Sequence, residues 1–527
     1  MNIPKKKELL RLQARHRTDK KIGQALGGVP AHLVAYWRKK KRIPDCELPK
    51  YAYKQIKSLW ETWGSDKQAA AQLGITPAAF YKWRQKYGLK DKPRILKLSH
   101  LQLNLFGEAK GSSAAGQHRL IEKVISYKLD LRGVKKPDSL VFEPELVLLN
   151  SDWEKLLRDC QALGLKKIKR VERVWGVIPL RADSNGSAEL TQRIKDFLRG
   201  HQIKNVLFSK EGFCLQLLWE KRALPSLGLA VGSDAAVAGV GFLGSWGVKL
   251  SGAELAQVLE SGRIEMEIPQ SVKIFLQGKV NPGIFAADIY SFLTQQIPIS
   301  ILSGRVVEFS GEALDSLSLS QRMSLALLWT QQPVKGVLLP VDQTIRKSLL
   351  SRLKKSVPLT EGDAGAEYAE QFEFDLSLLE PQINFSPGSD RIVPVRQIKR
   401  KPVFQIVLGA GHHGRLEELE IASRILSRHR VHPEVEFVVV PSSRSVFLAA
   451  LRKGYLRTLL EAGCILCDPG LEIWEKRLSS KGPILTTGRL TADHDQIFQP
   501  REVLLASPAT AAASAIRGEI TDPRDYL

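Results

Sequence analysis

The residues with the clearest chemical potential lie towards opposite ends of the 527-residue chain. In the C-terminal third, Val407-Leu408-Gly409-Ala410-Gly411-His412-His413-Gly414-Arg415 sets a glycine-rich turn after a strand-like run, a spacing that can cradle a phosphate on backbone N–H groups. His412 and His413 are adjacent imidazoles that could bind a divalent metal or an anion, but two ligands do not close a metal site. Cys464 and Cys467 are spaced Cys-x-x-Cys inside an apolar run, which reads them as buried small side chains. Near the N-terminus the chemistry is electrostatic: Arg38, Lys39, Lys82, Arg84 and Lys86 fall on short helix-favouring segments, where cations can neutralise phosphates.

Those cations belong to a repeat. Asp19-Lys20 through Gly28-Val29 to Tyr36-Trp37-Arg38 matches Asp66-Lys67 through Gly74-Ile75 to Lys82-Trp83-Arg84. Each copy reads helix, glycine turn, helix. In the second, Thr76 is an N-cap followed by Pro77 at N1. Phe80 and Trp83 should face the preceding helix, leaving Thr76, Ala78, Tyr81, Lys82, Arg84 and Lys86 to meet a duplex. In the first, Val34 and Trp37 should face inward and His32, Ala35, Arg38 and Lys39 outward, with an extra glycine in its turn, Gly27-Gly28. The units resemble the helix-turn-helix domains of bacterial transcription factors and transposase-like proteins. That resemblance implies that each second helix enters a major groove.

Charge supports a polyanionic partner. The chain holds 78 Lys and Arg against 55 Asp and Glu, and residues 1–100 account for 24 and 7 of these, so +17 of the +23 lies in the first fifth. No apolar run of membrane-spanning length exists, no apolar segment follows Lys5-Lys6-Lys7 as in a signal peptide, and five scattered cysteines make no disulfide framework. A cytoplasmic protein is expected. The expected organisation is one helix-turn-helix unit over 1–48, a second over 49–97, a Gly/Ser-bearing linker over 98–117, and a body over 118–527 divided near residue 400. In the body, strand-like runs such as 146–149, 404–408 and 435–440 alternate with helical segments such as 416–427 and 446–452. This predicts α/β architecture with mostly parallel sheets flanked by helices, preceded by a small all-α region.

The body resembles the aconitase superfamily, of the 3-isopropylmalate dehydratase large-subunit type. The resemblance rests on Gly414-Arg415-Leu416-Glu417-Glu418-Leu419, Val440-Pro441-Ser442-Ser443-Arg444, Val307-Glu308-Phe309-Ser310-Gly311-Glu312 with Gln321-Arg322-Met323, and Leu505 to Ser514. It runs from about Gly116 to the C-terminus, implying aconitase-like domains 1 and 2 over 118–400 and domain 3 over 401–527. It also implies a [4Fe-4S] cluster held by three cysteines with one iron open to substrate. Those three positions are Gly411, Leu471 and Trp474, none of which can donate to iron. Other polar positions change in parallel: an Asp-Ser-His-Thr turn reads Asp234-Ala235-Ala236-Val237, an Asp-His reads Trp175-Gly176, and a Cys-His-Gln reads Cys214-Leu215-Gln216. An acidic residue expected beyond the Arg322-Met323 helix is Gln331. Arg415 and Arg489 stand at arginine positions of the family and are the candidates to bind an anion.

Together these features predict a DNA-binding, transcription-regulating protein whose body is a catalytically inactive hydro-lyase homologue without cluster or metal. Double-stranded DNA is the expected partner, with a small carboxylic acid in the cleft and a second copy or a small-subunit-like protein as further candidates. Two alternatives stay open: a hydro-lyase working without the usual cluster, and an RNA-binding or scaffold protein.

Overall fold

The computed structural model describes residues 4–16, 19–43, 56–57, 59, 69–70, 72–87, 118–128, 140–179, 185–353, 357–385, 391–409, 412–469, 482–488 and 502–527. The chain divides into two compact units, Met1–Gln102 and Leu103–Leu527. The linker expected over 98–117 lies outside the described residues.

In the smaller unit, α1 (Lys6–His16), α2 (Asp19–Ala25) and α3 (Ala31–Lys40) enclose Leu9, Ile22, Val29, Val34, Trp37 and Ile43. Val34 and Trp37 are buried, as their spacing predicts. The turn between α2 and α3 is built on close approach. A Cβ on Gly23 would stand 1.9 Å from the Val29 carbonyl oxygen, and Val29 N–H donates to the Gly23 carbonyl at 2.9 Å. The extra glycine is absorbed here, since Gly27 and Gly28 both take left-handed φ, 83° and 90°. The matching turn of the second copy closes one residue shorter, by Ile75 N–H donating to the Ala70 carbonyl. There α4 (Pro77–Lys86) starts at Thr76, whose hydroxyl accepts from Ala79 N–H at 3.3 Å, and Phe80 packs with Ile56, Ala69 and Ala70.

Two outward assignments are corrected here. Arg38 is 4% exposed: its Nε donates to Asp19 Oδ1 at 2.7 Å and its Nη2 to Asp19 Oδ2 at 2.6 Å, a bidentate pair tying α3 to α2. Arg84, at the matching place in α4, is 3% exposed and lies 5.1 Å from the centre of the Tyr81 ring. Spacing alone could not show this. The long arginine stem buries beside the tryptophan of each copy, and the head group turns inward to a partner instead of outward to solvent.

The larger unit carries three main sheets. β1 (Leu140–Phe142) pairs with β7 (Ile264–Met266) as a small antiparallel ribbon. β2 (Leu146–Leu149), β3 (Val174–Ile178), β4 (Asn205–Phe208), β5 (Leu229–Gly232) and β6 (Trp246–Lys249) form a parallel sheet in the order β4-β3-β2-β5-β6. β8 (Ser271–Gln277), β9 (Val306–Ser310), β10 (Gly336–Leu338) and β11 (Glu370–Asp375) form a second parallel sheet, β10-β9-β8-β11. The third, β13-β12-β18-β17-β14-β15-β16, runs from β12 (Gln382–Phe385) and β13 (Ile392–Pro394) through β14 (Gln405–Leu408), β15 (Glu436–Val439), β16 (Ile465–Leu466), β17 (Ile484–Thr486) and β18 (Val503–Leu505). Its β14–β18 core is parallel, whereas β12 pairs antiparallel with β13 and β18. β12 and β13, which precede residue 400, are strands of this same sheet. Intervening helices lie between successive strands, which is why β2 and β5 read as unbroken apolar runs, and β14 and β15 are apolar after one polar residue.

The Asp19–Arg38 pair yields a direct test. Arg38→Ala leaves the Asp19 carboxylate without its charged partner, at a cost of about 2–3 kcal/mol to the first module. Lys39→Ala, one residue on and exposed, should cost no more than about 0.5 kcal/mol. Amide hydrogen exchange across residues 22–38 reads both variants, and equal protection in the two would refute the assignment.

Candidate functional site

Two loci carry the candidate residues, one in each unit. In the smaller unit the exposed side of α3 holds His32, Tyr36, Lys39 and Lys40, and that of α4 holds Ala78, Tyr81, Lys82, Gln85 and Lys86. Tyr36 and Tyr81 are 56% and 45% exposed, unusual for rings on an otherwise solvated helix. Both lie beside cations, Lys40 Nζ being 6.0 Å from the Tyr36 ring centre. Thus His32, Lys39, Thr76, Ala78, Tyr81, Lys82 and Lys86 sit on accessible surface as expected, while Arg38 and Arg84 do not. Gln85 was missed because a lone glutamine carries no charge signal. Its place three and seven residues beyond Lys82 and Ala78 on the same helix face is what brings it forward.

In the body, the glycine turn joins β14 to the helix Leu416–Leu426. Gly409 and Gly414 both have positive φ, and a Cβ on either would stand 1.9 or 2.1 Å from the Val440 carbonyl oxygen, so the turn lies flat against the end of β15. The helix then begins at Arg415, with Glu418 at its third position accepting from Gly414 N–H at 2.6 Å. Arg415 is 5% exposed and fully engaged. Its Nε donates to Ser320 Oγ at 3.1 Å, its Nη1 to the His412 carbonyl at 2.9 Å, and its Nη2 to Glu418 Oε1 at 2.9 Å and to Ser324 Oγ. Ser324 Oγ in turn donates to Glu418 Oε1 at 3.0 Å. The expectation that Arg415 binds an external anion is therefore corrected: its charge is spent inside the fold on Glu418. Arg489 lies outside the described residues.

Electrostatics follow from that burial. Desolvation alone would raise the Glu418 carboxyl, but Arg415, His413 and the Gly414 N–H outweigh it and bring the carboxyl down to about 2. His413 is lowered by burial despite Glu418. His412 is lowered to about 4, again chiefly by burial, so both imidazoles are neutral at pH 7. His412 takes the left-handed φ of 75°, its ring centre is 5.1 Å from that of Phe213, and its Nδ1 has no hydrogen-bond partner among the described residues. A small cavity lies beside this turn, with Ser320, Gln321, Ser324, His413, Glu417, Glu418 and Thr487 giving its polar lining. It faces an incoming carboxylate with two carboxylates whose nearest cation is already paired.

The donor set does not fit the family's cluster. Gly411, Leu471 and Trp474 lie outside the described residues, but as side chains none carries sulfur. Among the described cysteines, burial raises Cys160 to about 11 and Cys214 and Cys464 to about 12, keeping them as thiols, and no three His, Cys, Asp or Glu side chains converge as a metal site among the described residues. The changed acid–base positions are packed shut. A side chain built at Gly176 would meet Leu198 Cδ2 at 2.5 Å, Leu215 and Ala236 are buried, and the unchanged Asp234 acts as a cap, accepting from Ala236 N–H at 2.6 Å.

The buried pair predicts a pH signature. Since Glu418 titrates below its ordinary value in the fold, its contribution is present above about pH 4.5 and is lost as pH falls through about 2. Arg415→Ala should cost about 3–5 kcal/mol at neutral pH by leaving that carboxylate buried alone. The deficit should shrink as acid protonates Glu418. Urea unfolding of both proteins across the acid range measures it, and a pH-independent difference would rule out the charge pair as the cause.

Residues 178–408 match the model of the aconitase family (aconitate hydratase). Similarity to characterised relatives extends further: 32% identity over 372 residues with 3-isopropylmalate dehydratase large subunit 1 of Methanopyrus kandleri, covering 68% of this chain and 88% of that protein. The probable methanogen homoaconitase large subunit of Methanosarcina mazei is 31% identical over 69% of this chain and 95% of its own length. Among solved structures, aconitase X of Thermococcus kodakaraensis in its holo form matches at 12% identity and a TM-score of 0.40, covering 66% of this chain and 83% of that one. The three-sheet body, its glycine turn and this extent of similarity lead to one conclusion: the chain belongs to the aconitase family.

Proposed function

We propose that this protein is a duplex-DNA-binding, gene-regulating member of the aconitase family whose body has given up the family's cluster-dependent dehydration. The observation that carries the reading is the pair of matched recognition helices. Their arginines are spent internally, yet each keeps an exposed face of lysines with a tyrosine. Tyrosine and lysine on one accessible helix face, joined to a +17 segment, suit the sugar-phosphate edge and floor of a major groove. The body supports the second half of the proposal through its chemistry: no sulfur at the three ligand positions, Leu198 against Gly176, and an arginine committed to Glu418. No helix of the described residues is long and apolar enough to cross a membrane.

One observation favours a second reading, the 32% identity to a dehydratase large subunit over most of its length. On that reading the chain is a hydro-lyase acting through different groups. Isopropylmalate and homoaconitate turnover by the purified full chain, with and without a partner small subunit, separates the two. We expect none, and no visible charge-transfer band after anaerobic incubation with iron and sulfide. Turnover above the uncatalysed rate would return the chain to the hydro-lyases.

Binding to duplex DNA is the positive test. With Arg38 and Arg84 withdrawn from the interface, the two helices can offer about 4 to 6 phosphate contacts, so affinity should fall roughly 10²- to 10³-fold between about 50 and about 200 mM salt. Lys82→Ala and Lys86→Ala should each flatten the slope by about one contact and weaken all sequences alike. Salt-independent binding, or preference for single-stranded RNA over duplex DNA, would defeat the proposal.

A further inference from the structure

We infer that the two helix-turn-helix modules read different base sequences, so that one chain recognises a bipartite duplex site with unlike halves. This rests on the DNA-binding reading above and specifies its target.

Aligning Trp37 with Trp83 equates the two helices position by position. The inward positions correspond in kind: Val34 with Phe80, Trp37 with Trp83, Arg38 with Arg84, and Val29 with Ile75 in the turn. The outward face does not. His32, Ala35, Tyr36 and Lys39 of α3 stand where Ala78, Tyr81, Lys82 and Gln85 stand in α4, and these four pairs differ, whereas Lys40 and Lys86 match. Every member of the two sets is exposed except Ala35, which is half-buried. Core chemistry is thus shared, and surface chemistry differs at every outward pair but Lys40 and Lys86.

The differences change what can be read. Gln85 presents an amide that donates and accepts together, the pattern that matches N6 and N7 of adenine. Its counterpart Lys39 can only donate and suits O6 and N7 of guanine. Tyr81 carries a large ring, kept beside the Arg84 guanidinium, where α3 has only the methyl of Ala35, so the two helices also differ in how closely they can approach the groove floor. Tyr36, the more exposed ring, faces the position that Lys82 gives to a cation. One base sequence cannot satisfy both faces. Neither a direct nor an inverted repeat is then the preferred site of a single chain, and Gln85 is a specificity-determining residue of the second module.

Selection of the full-length protein against a random duplex library tests this. The expected result is a consensus of two unlike blocks. Gln85→Ala should relax one adenine-bearing position in one block by roughly 5- to 150-fold in discrimination, leaving the other block intact, and Lys39→Ala should do the converse. Gln85→Asn, which keeps the amide, should restore the adenine preference in part. Two identical blocks, or a single block unaffected by either variant, overturns the inference while leaving DNA binding standing. Failure to enrich any duplex, with no salt-dependent binding of bulk DNA, overturns the DNA-binding reading itself and this inference with it.

Discussion

The Glu418 carboxylate is where the parts of the body meet. It sits at the start of a helix in the third sheet's layer, accepts the Gly414 N–H that closes the glycine turn, and pairs with Arg415. Through Ser324 it also holds the helix Leu319–Trp329, which follows the second sheet's β9. A buried carboxylate tolerates this only when several donors surround it, because the cost of removing a charge from water is several kcal/mol. The network therefore constrains three segments at once: the turn cannot open, the arginine cannot swing outward, and the Leu319–Trp329 helix cannot slide without leaving a charge unpaired. What was read as an anion-binding arginine is the countercharge of this junction.

The same substitution of internal for external partners recurs in the smaller unit. Arg38 spends its guanidinium on Asp19 and keeps its stem against the core of the first module, and Arg84 occupies the matching buried place in the second. Charge at a repeat position is thus ambiguous in sequence. A buried bidentate pair fixes the angle between two short helices that bury few apolar residues, and that angle determines whether the second helix can present a face at all. The lysines, with a compact and strongly hydrated head group, stay at the surface.

Taken with family membership, this describes a body of the aconitase family whose buried charges are paired with one another. Apolar packing fills the space at Gly176, where a Cβ would meet Leu198, and the backbone of Gly409 and Gly414 closely approaches Val440. Packing and turn geometry are demanded by the fold whatever the reaction, whereas imidazoles and thiolates in a buried cleft are costly unless a ligand or metal uses them.

Sequence alone determined what depends on local pattern. The period and apolar runs placed β2, β14, β15 and the helix from Leu416, and the Thr76-Pro77 pair placed the start of α4. The inward faces of α3 and α4 followed from helical spacing. Only the tertiary structure decided where charged heads go: Arg38 and Asp19 are nineteen residues apart, and Arg415 and Ser324 ninety-one, separations over which no periodicity speaks. It also drew β12 and β13 into the third sheet, because strand pairing across long loops is settled by hydrogen bonds between distant segments. Long, flexible cationic side chains can end on either side of a helix, and the decision falls to whichever carboxylate the fold brings within reach.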